Sequence, residues 1–134
     1  MATSEVTYKG ELRTVAVHLK SGNEIITDAP TDNNGKGEAF SPTDTVATAL
    51  ASCMLTIMGI KAADKNIKIE GTTAVVTKTM GVNPRRITKI DVIVTLPFAF
   101  DNVTKKTLEK AALTCPVYYS LHEDIEKNIV FNWK

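Results

Sequence analysis

Two cysteines and two histidines are the side chains of this 134-residue chain best suited to nucleophilic or metal-binding chemistry. Cys53 lies in the middle of an apolar stretch, "SPTDTVATALASCMLTIM", and Cys115 stands directly before Pro116. Their separation is far wider than that of a Cys-x-x-Cys pair, so the thiols can react together only if the fold brings them into contact. In a reducing compartment, two such cysteines favour redox chemistry or plain packing over a structural disulfide.

The two cysteines have different local contexts. Proline disfavours helical geometry in the residue before it and fits the first turn of a helix, so Cys115 is predicted to be the N-cap of a short helix. The backbone N–H groups and the dipole at such a position stabilise a thiolate, which favours Cys115 as the more acidic thiol. Cys53 has the context of a buried thiol that packs as a small hydrophobic side chain.

The histidines offer two further possibilities. Two cysteines and two histidines match the stoichiometry of a Cys2His2 site, but the close ligand pairs that zinc sites show are missing, so no metal site is predicted. His122 follows Cys115 by about two helical turns, and the two residues form a candidate pair for acyl transfer if their side chains touch. His18 is predicted to lie on the exposed face of a strand.

The element that must position Cys53 is a long helix. Ser41 is its predicted N-cap and Pro42 its first residue, and Asp44 has the spacing to bond back to the cap and to favour the positive end of the helix dipole. The helix is predicted to run to about Ala63 and to end at residues 64–66. Apolar residues lie on nearly every side of this helix, which is typical of a membrane span or of a helix at the centre of a protein core. Because polar residues interrupt the apolar run too often for a membrane span, the helix is predicted to lie at the centre of the core.

The rest of the chain is predicted to be mostly strands. Alternating apolar and polar residues indicate strands within 4–28, a loop follows at 29–40, and further strands and helices are predicted at 67–79, 90–96, 103–114, 117–126 and 128–133. The order is βββ-α-ββ-α-α-β. Strands joined by short turns favour antiparallel pairing, and the predicted class is α+β.

Composition limits the kinds of partner. The length predicts one domain over residues 1–134. With 16 basic and 15 acidic residues the net charge is +1, and no concentrated basic patch indicates a nucleic-acid or membrane-surface partner. The N-terminal stretch "MATSEVTYKGELR" lacks the apolar segment of a secretory signal, so a cytoplasmic location is predicted.

The motif "SPTDTVATALASCM", followed later by "CPV", resembles the OsmC/Ohr family of thiol-dependent proteins. The resemblance covers essentially the whole chain, including "DAPTDNNGKGEAF" and "LEKAALTCPVYYSLHEDI". It implies an OsmC-like fold, with antiparallel sheets around two long central helices in an intertwined homodimer and active sites at the subunit interface.

The same resemblance implies a peroxidase of the oxidative stress response that reduces organic hydroperoxides. Cys53 would attack the peroxide and become a sulfenic acid, and Cys115 would condense with it to a disulfide. An external dithiol would then reduce that disulfide. No metal, flavin, haem or other cofactor is implied.

The family's peroxidases activate the attacking cysteine with an N-terminal arginine, which a glutamate directly after the helix-starting proline holds in place. Here Thr43 follows Pro42, and the carboxylate, Asp44, comes one residue later. Arg13 is the arginine that the N-terminal region offers. The resemblance therefore nominates Arg13 as the activating cation and Asp44 as a helix-cap residue that orients it.

Two other functions compete with the peroxidase. The first is a non-catalytic dimeric OsmC-like module that binds a small hydrophobic ligand at the subunit interface, with both cysteines serving as packing residues. It predicts that Cys53→Ala keeps function and that oxidation forms no Cys53–Cys115 bond. The second is acyl or thioester chemistry by Cys115 and His122, which requires these two side chains to touch.

Overall fold

The structure is a computed structural model that describes residues 1–134, and the chain forms two compact units, Met1–Val46 and Ala47–Lys134. Both strands and helices are present, which confirms the α+β class. In chain order the elements are β1 (Ser4–Gly10), β2 (Arg13–His18), β3 (Glu24–Asp28), α1 (Pro42–Asp64), β4 (Thr73–Gly81), β5 (Arg86–Leu96), α2 (Asn102–Ala112), α3 (Pro116–Ser120) and β6 (Glu126–Trp133). The prediction of one domain over residues 1–134 stays a prediction.

The first unit contains a three-stranded antiparallel sheet in the order β1-β2-β3. β2 is the central strand, and its first residue, Arg13, lies directly opposite Asp28 at the end of β3. Much of the apolar surface of this sheet is open to solvent, with Val6, Tyr8 and Ile25 each about three-fifths exposed. The sheet therefore positions Arg13 but has little core of its own.

The second unit contains the core, built on a sheet in the order β4-β5-β6. The central strand β5 buries every second residue completely, namely Ile90, Val92, Val94 and Leu96, which confirms the alternation in the sequence. β4 pairs with β5 in the predicted antiparallel way. β6 instead runs parallel to β5, because the connection that carries α2 and α3 is long enough for a crossover.

Several element boundaries differ from the prediction. The strand predicted from residue 67 begins only at Thr73, because the chain turns at Gly71, whose φ of 96° lies in the left-handed region. Ile67 and Ile69 pack against the core from this turn. The helix predicted over 117–126 ends at Ser120, because Leu121 is extended, with a ψ of 145°.

The long helix α1 begins with the predicted cap. Ser41 Oγ accepts the backbone N–H of Asp44 at 3.0 Å, and Asp44 Oδ2 accepts the N–H of Ser41 at 2.9 Å. This reciprocal pair is a capping box, with Asp44 in the place that glutamate or glutamine usually takes. It satisfies two N–H groups that the first turn would otherwise leave without a partner.

Only part of the apolar surface of α1 is buried within the chain. One face packs into the core through Ala47, Leu50, Ala51, Met54, Met58 and Ala62, whereas Val46 and Ile60 are 41% and 56% exposed. By length and composition α1 is the one helix that would suffice to cross a membrane. That is weak evidence for a span, because the core helices of soluble proteins pass the same test.

Candidate functional site: a thiol pair in the second unit

Cys53 lies near the middle of α1, on the side that borders the core. It is half-buried and carries a free thiol. It lies in regular helix between Leu50 and Met54, which are both fully buried in the core. A thiol in this place is sheltered yet still partly open to a reagent.

Cys115 occupies the N-cap of α3, which confirms the position predicted from the following proline. Its backbone is extended, with φ −70° and ψ 144°, and its Sγ accepts the backbone N–H of Tyr118 at 3.3 Å. The N–H of Val117 lies close enough to act on the same sulfur. Cys115 is completely buried and carries a free thiol.

The fold brings the two thiols together. The Cys53 thiol lies close enough to Cys115 to act on the pKa of the Cys115 thiol. Burial is the largest influence on the Cys115 thiol and raises its pKa. The N–H of Tyr118 comes second and lowers the pKa, the Cys53 thiol raises it, and the N–H of Val117 lowers it least, so that the pKa is raised on balance. The prediction of an acidic Cys115 is therefore wrong, because the loss of water outweighs the helix N-terminus. Cys115 keeps its proton more firmly than an ordinary cysteine.

The histidines take no part in this pair. His122 is 69% exposed, and its Nδ1 accepts the backbone N–H of Asp124 at 3.0 Å. His122 is not among the groups that act on the Cys115 thiol, so nothing in the structure supports the candidate Cys115–His122 pair for acyl transfer. His18 is exposed on its strand, as predicted, with Nδ1 at 2.6 Å from Ser21 Oγ. No group of three or more His, Cys, Asp or Glu side chains is arranged to hold a metal ion.

Arg13, in the first unit, forms a two-point ion pair with Asp28. Its Nε lies 2.7 Å from Asp28 Oδ1 and its Nη2 lies 2.8 Å from Oδ2, and Glu38 Oε2 lies 3.9 Å from Nη2. Asp28 is 1% exposed and also accepts the backbone N–H of Glu38 at 3.2 Å. The ion pair lowers the pKa of Asp28 and raises that of Arg13.

Sequence reasoning missed Asp28 and named Asp44 as the carboxylate that orients Arg13. The charges that act on Arg13 are those of Asp28, Glu38 and Glu11, while Asp44 caps α1. The sequence of the hairpin could have predicted the Arg13–Asp28 pair. A β2–β3 register centred on the turn at 19–23 places Arg13 opposite Asp28. Opposite charges in directly facing strand positions attract each other.

Comparison with known proteins agrees with this architecture. The OsmC family model, described as OsmC-like protein, matches residues 35–130. A solved structure from Psychrobacter arcticus, provisionally described as an osmotic stress induced and detoxification response protein, is 57% identical in sequence. The match covers 98% of this chain and 96% of that one, with a TM-score of 0.96. A comparison with curated proteins finds no match.

Two more distant structures share the fold. An organic hydroperoxide resistance protein OsmC from Legionella pneumophila is 14% identical, with a TM-score of 0.76 and 98% of each chain covered. An organic hydroperoxide resistance protein from Elizabethkingia anophelis is 16% identical, with a TM-score of 0.76, and the match covers 100% of this chain and 98% of that one. At such identities the likeness concerns the fold alone.

Proposed function

This chain belongs to the OsmC-like protein family, and from that premise we propose that it is a thiol-dependent peroxidase that reduces organic hydroperoxides. The observation that carries the proposal is the proximity of the Cys53 and Cys115 thiols, which is close enough for one to act on the pKa of the other. Two relatives of the same fold are named as organic hydroperoxide resistance proteins, which supports the choice of substrate class. The cytoplasm, where dithiol reductants are available, is the expected compartment.

The reaction divides into three balanced steps. The Cys53 thiolate attacks the distal oxygen of the hydroperoxide; an S–O bond forms, the O–O bond breaks, and the departing alkoxide takes a proton to become an alcohol. The resulting sulfenic acid then condenses with the Cys115 thiol, which forms an S–S bond and releases water. An external dithiol finally reduces that disulfide by thiol–disulfide exchange and is itself oxidised to a disulfide.

The local environments support Cys53 as the attacking residue and Cys115 as the resolving one. Cys115 is fully buried and its pKa is raised, so a peroxide reaches it less easily and its thiolate is scarce. Its retained S–H group is also a donor that can stabilise negative charge on the Cys53 sulfur. Cys53 is half-buried, which suits a nucleophile that must meet a substrate carrying an apolar group.

Arg13 and Asp44 stay predictions in their proposed roles. Arg13 is the nominated activating cation, and its planar guanidinium is already held in one orientation by Asp28, which is the preorganisation that an activating cation needs. Asp44 acts on the start of α1 through the capping box. A slower attack by the Cys53 thiolate in Arg13→Met, with Arg13→Lys intermediate, would support the first role.

We include a homodimer in the proposal. The sheet of the first unit leaves apolar side chains open to solvent, among them Val6 at 61%, Tyr8 at 64% and Ile25 at 59%. Contiguous exposed apolar surface on a soluble protein marks an interaction site, and a second copy of this chain is the partner that the family resemblance implies. Analytical ultracentrifugation that finds only monomer at micromolar concentration would contradict it.

The test is turnover of cumene hydroperoxide with a dithiol such as dihydrolipoamide as the reductant. We expect multiple turnovers by the wild-type chain, loss of turnover in Cys53→Ser, and full activity in the control Thr56→Ser, an exposed position one turn further along α1. Without turnover, and without a Cys53–Cys115 disulfide after oxidation, the non-catalytic binding module becomes the better explanation.

A further inference from the structure

One lysine stands in a row of β6 residues that otherwise faces the core of the second unit. The half-buried positions of β6 each lie directly opposite a fully buried residue of β5, and they are Lys127, Ile129, Phe131 and Trp133. Residues that face each other across a strand pair point to the same side of the sheet. The three apolar members of the row pack against the core. Lys127 therefore occupies an inward position where the alternation calls for an apolar residue.

The ammonium of Lys127 has three partners, and none of them is a carboxylate. Its Nζ donates to the carbonyl oxygen of Ile125 at 3.0 Å and to that of His122 at 3.4 Å, both in the turn between α3 and β6. It also lies 5.3 Å from the centre of the Tyr118 ring in α3. Hydrogen bonds from a charged donor are stronger than neutral ones, and the face of an aromatic ring attracts a cation. Lys127 thus joins the start of β6 to the turn and to α3.

Tyr118 connects these contacts of Lys127 to Cys115. The backbone N–H of Tyr118 donates to Cys115 Sγ at 3.3 Å, while its ring faces the ammonium of Lys127. Side chains of α3 and of the turn pack against the core cluster that contains Cys115, namely Val117, Tyr118, Leu121 and Ile125. Cys115 itself is completely buried. The α3 helix and the turn therefore contribute to the cover of this thiol, and Lys127 holds both of them.

We propose that Lys127 is a positioning residue that holds α3 over Cys115 and, on the premise of the proposed peroxidase function, supports the resolving step. In that step the Cys115 sulfur bonds to the Cys53 sulfur, and the Cys115 proton leaves with the sulfenic hydroxyl group as water. Negative charge develops on the Cys115 sulfur as its proton departs. The N–H of Tyr118 already points at this sulfur and stabilises such charge without rearrangement.

The role of Lys127 is exerted through the backbone of α3. Lys127 is not among the groups that act on the pKa of the Cys115 thiol, whereas the N–H of Tyr118 is. An apolar residue at this position would pack against the core equally well, but it could not donate to the two carbonyl oxygens of the turn. Removal of the ammonium should therefore loosen α3 and the turn while the sheet keeps its core.

The first test is the rate at which iodoacetamide alkylates Cys115 in the full reduced chain at neutral pH, measured by peptide mass spectrometry. A buried thiol reacts when its cover opens locally, so the rate follows the opened fraction. Lys127→Met keeps a long side chain but lacks the ammonium, and we expect Cys115 to react about fivefold faster in it, since hydrogen bonds from charged groups shift such equilibria by this factor or more.

Two further variants show whether the ammonium is responsible. Lys127→Arg keeps a cation that can donate to the same carbonyl oxygens and stack on Tyr118, so it should restore most of the protection of Cys115. Lys106→Met makes the same change at an exposed position of α2 and should react as the wild type does. Unchanged alkylation of Cys115 in Lys127→Met, or an equal rise in Lys127→Arg, would overturn the positioning role.

The second test concerns the resolving step. After one equivalent of cumene hydroperoxide, dimedone traps the Cys53 sulfenic acid that has not yet condensed with Cys115. We expect more dimedone adduct in Lys127→Met than in the wild type or in Lys127→Arg, with hydroperoxide consumed equally fast in the first turnover. Faster alkylation of Cys115 with unchanged trapping would exclude Lys127 from the resolving step.

The two tests separate this proposal from the peroxidase function. If Lys127→Met makes Cys115 accessible while the wild type shows no peroxidase turnover, the positioning role stands and the proposed function fails. If Lys127→Met does not fold, Tyr118→Leu takes its place, because it removes the ring that faces the ammonium and keeps an apolar side chain. Cys115 should react faster in Tyr118→Leu as well, and an unchanged rate there would contradict the proposed link through Tyr118.

Discussion

The Cys53 thiol lies close enough to Cys115 to raise the pKa of the Cys115 thiol, although the rest of α1, two strands and α2 separate the two residues along the chain. The fold thus brings the middle of the core helix near the N-cap of a short helix. The core shelters Cys115 completely and Cys53 only in part. This asymmetry between two otherwise identical groups is the basis of the roles proposed for them.

Cys115→Ser should stop the proposed reaction after its first step. The variant keeps Cys53 and its helix but lacks the sulfur that condenses with the sulfenic acid. We expect about one hydroperoxide consumed per chain, no further turnover with dithiol, and a dimedone adduct at Cys53 in the mass spectrum of the intact protein. Wild-type turnover in this variant would show that Cys115 is not the resolving residue.

The two thiols should differ in their reaction with iodoacetamide. Because burial and Cys53 raise the pKa of Cys115, alkylation of Cys115 should stay low at neutral pH and rise only above the ordinary thiol range of about 8.5. Peptide mass spectrometry over a pH series measures this for each site. In Cys53→Ser the Cys115 profile should move toward lower pH, since burial alone then raises its pKa. A Cys115 that reacts first at neutral pH would contradict the assignment.

The same shift has a consequence for stability. A cysteine whose pKa is higher in the folded than in the unfolded state binds its proton more tightly when folded. Its contribution to stability is therefore fully present below the unfolded pKa, about 8.5, and is lost as the pH rises through the folded pKa. Urea unfolding of the reduced chain at alkaline pH should show this loss, and Cys115→Ala should show less of it.

Ser41→Ala should destabilise the start of α1. The change removes the Oγ that accepts the Asp44 N–H, and N-cap serines replaced by alanine typically cost about 1 kcal/mol in free energy of unfolding. For a chain of this size the melting temperature should fall by roughly 4 °C. Ser52→Ala, exposed in the interior of the same helix, is the control and should not lower it. An unchanged melting temperature in Ser41→Ala would argue against the capping box.

Asp28→Asn should lower stability and weaken its dependence on acid. The Arg13 ion pair lowers the pKa of Asp28 in the folded chain. The stabilisation by the Arg13–Asp28 ion pair is therefore fully present above the pKa of an unfolded aspartate, about 4. It is lost as the pH falls through the lower pKa that Asp28 has in the folded chain. Urea unfolding between pH 3 and about pH 7 measures it. Glu11→Gln breaks the exposed Lys36–Glu11 pair at 2.7 Å, and this control should change stability little.

Local physical rules in the sequence determined much of the architecture. Proline geometry predicted Cys115 at a helix N-cap, capping preferences predicted Ser41 at the start of α1, and alternation predicted the inward face of β5. Each of these features depends on residues that are close together in the chain, so each can be predicted from the sequence without knowledge of the tertiary structure. The family motif around Cys53 was equally local, and the family model confirms it.

The tertiary structure alone decided the properties that depend on neighbours distant in sequence. Burial by other elements reversed the acidity expected for Cys115, because desolvation depends on everything that excludes water from the sulfur. Long-range pairing gave Arg13 the Asp28 carboxylate, and a crossover made β6 parallel to β5. The sequence by itself could name the two cysteines, but their proximity and their unequal burial follow from how α1 and the N-cap of α3 are placed in the core.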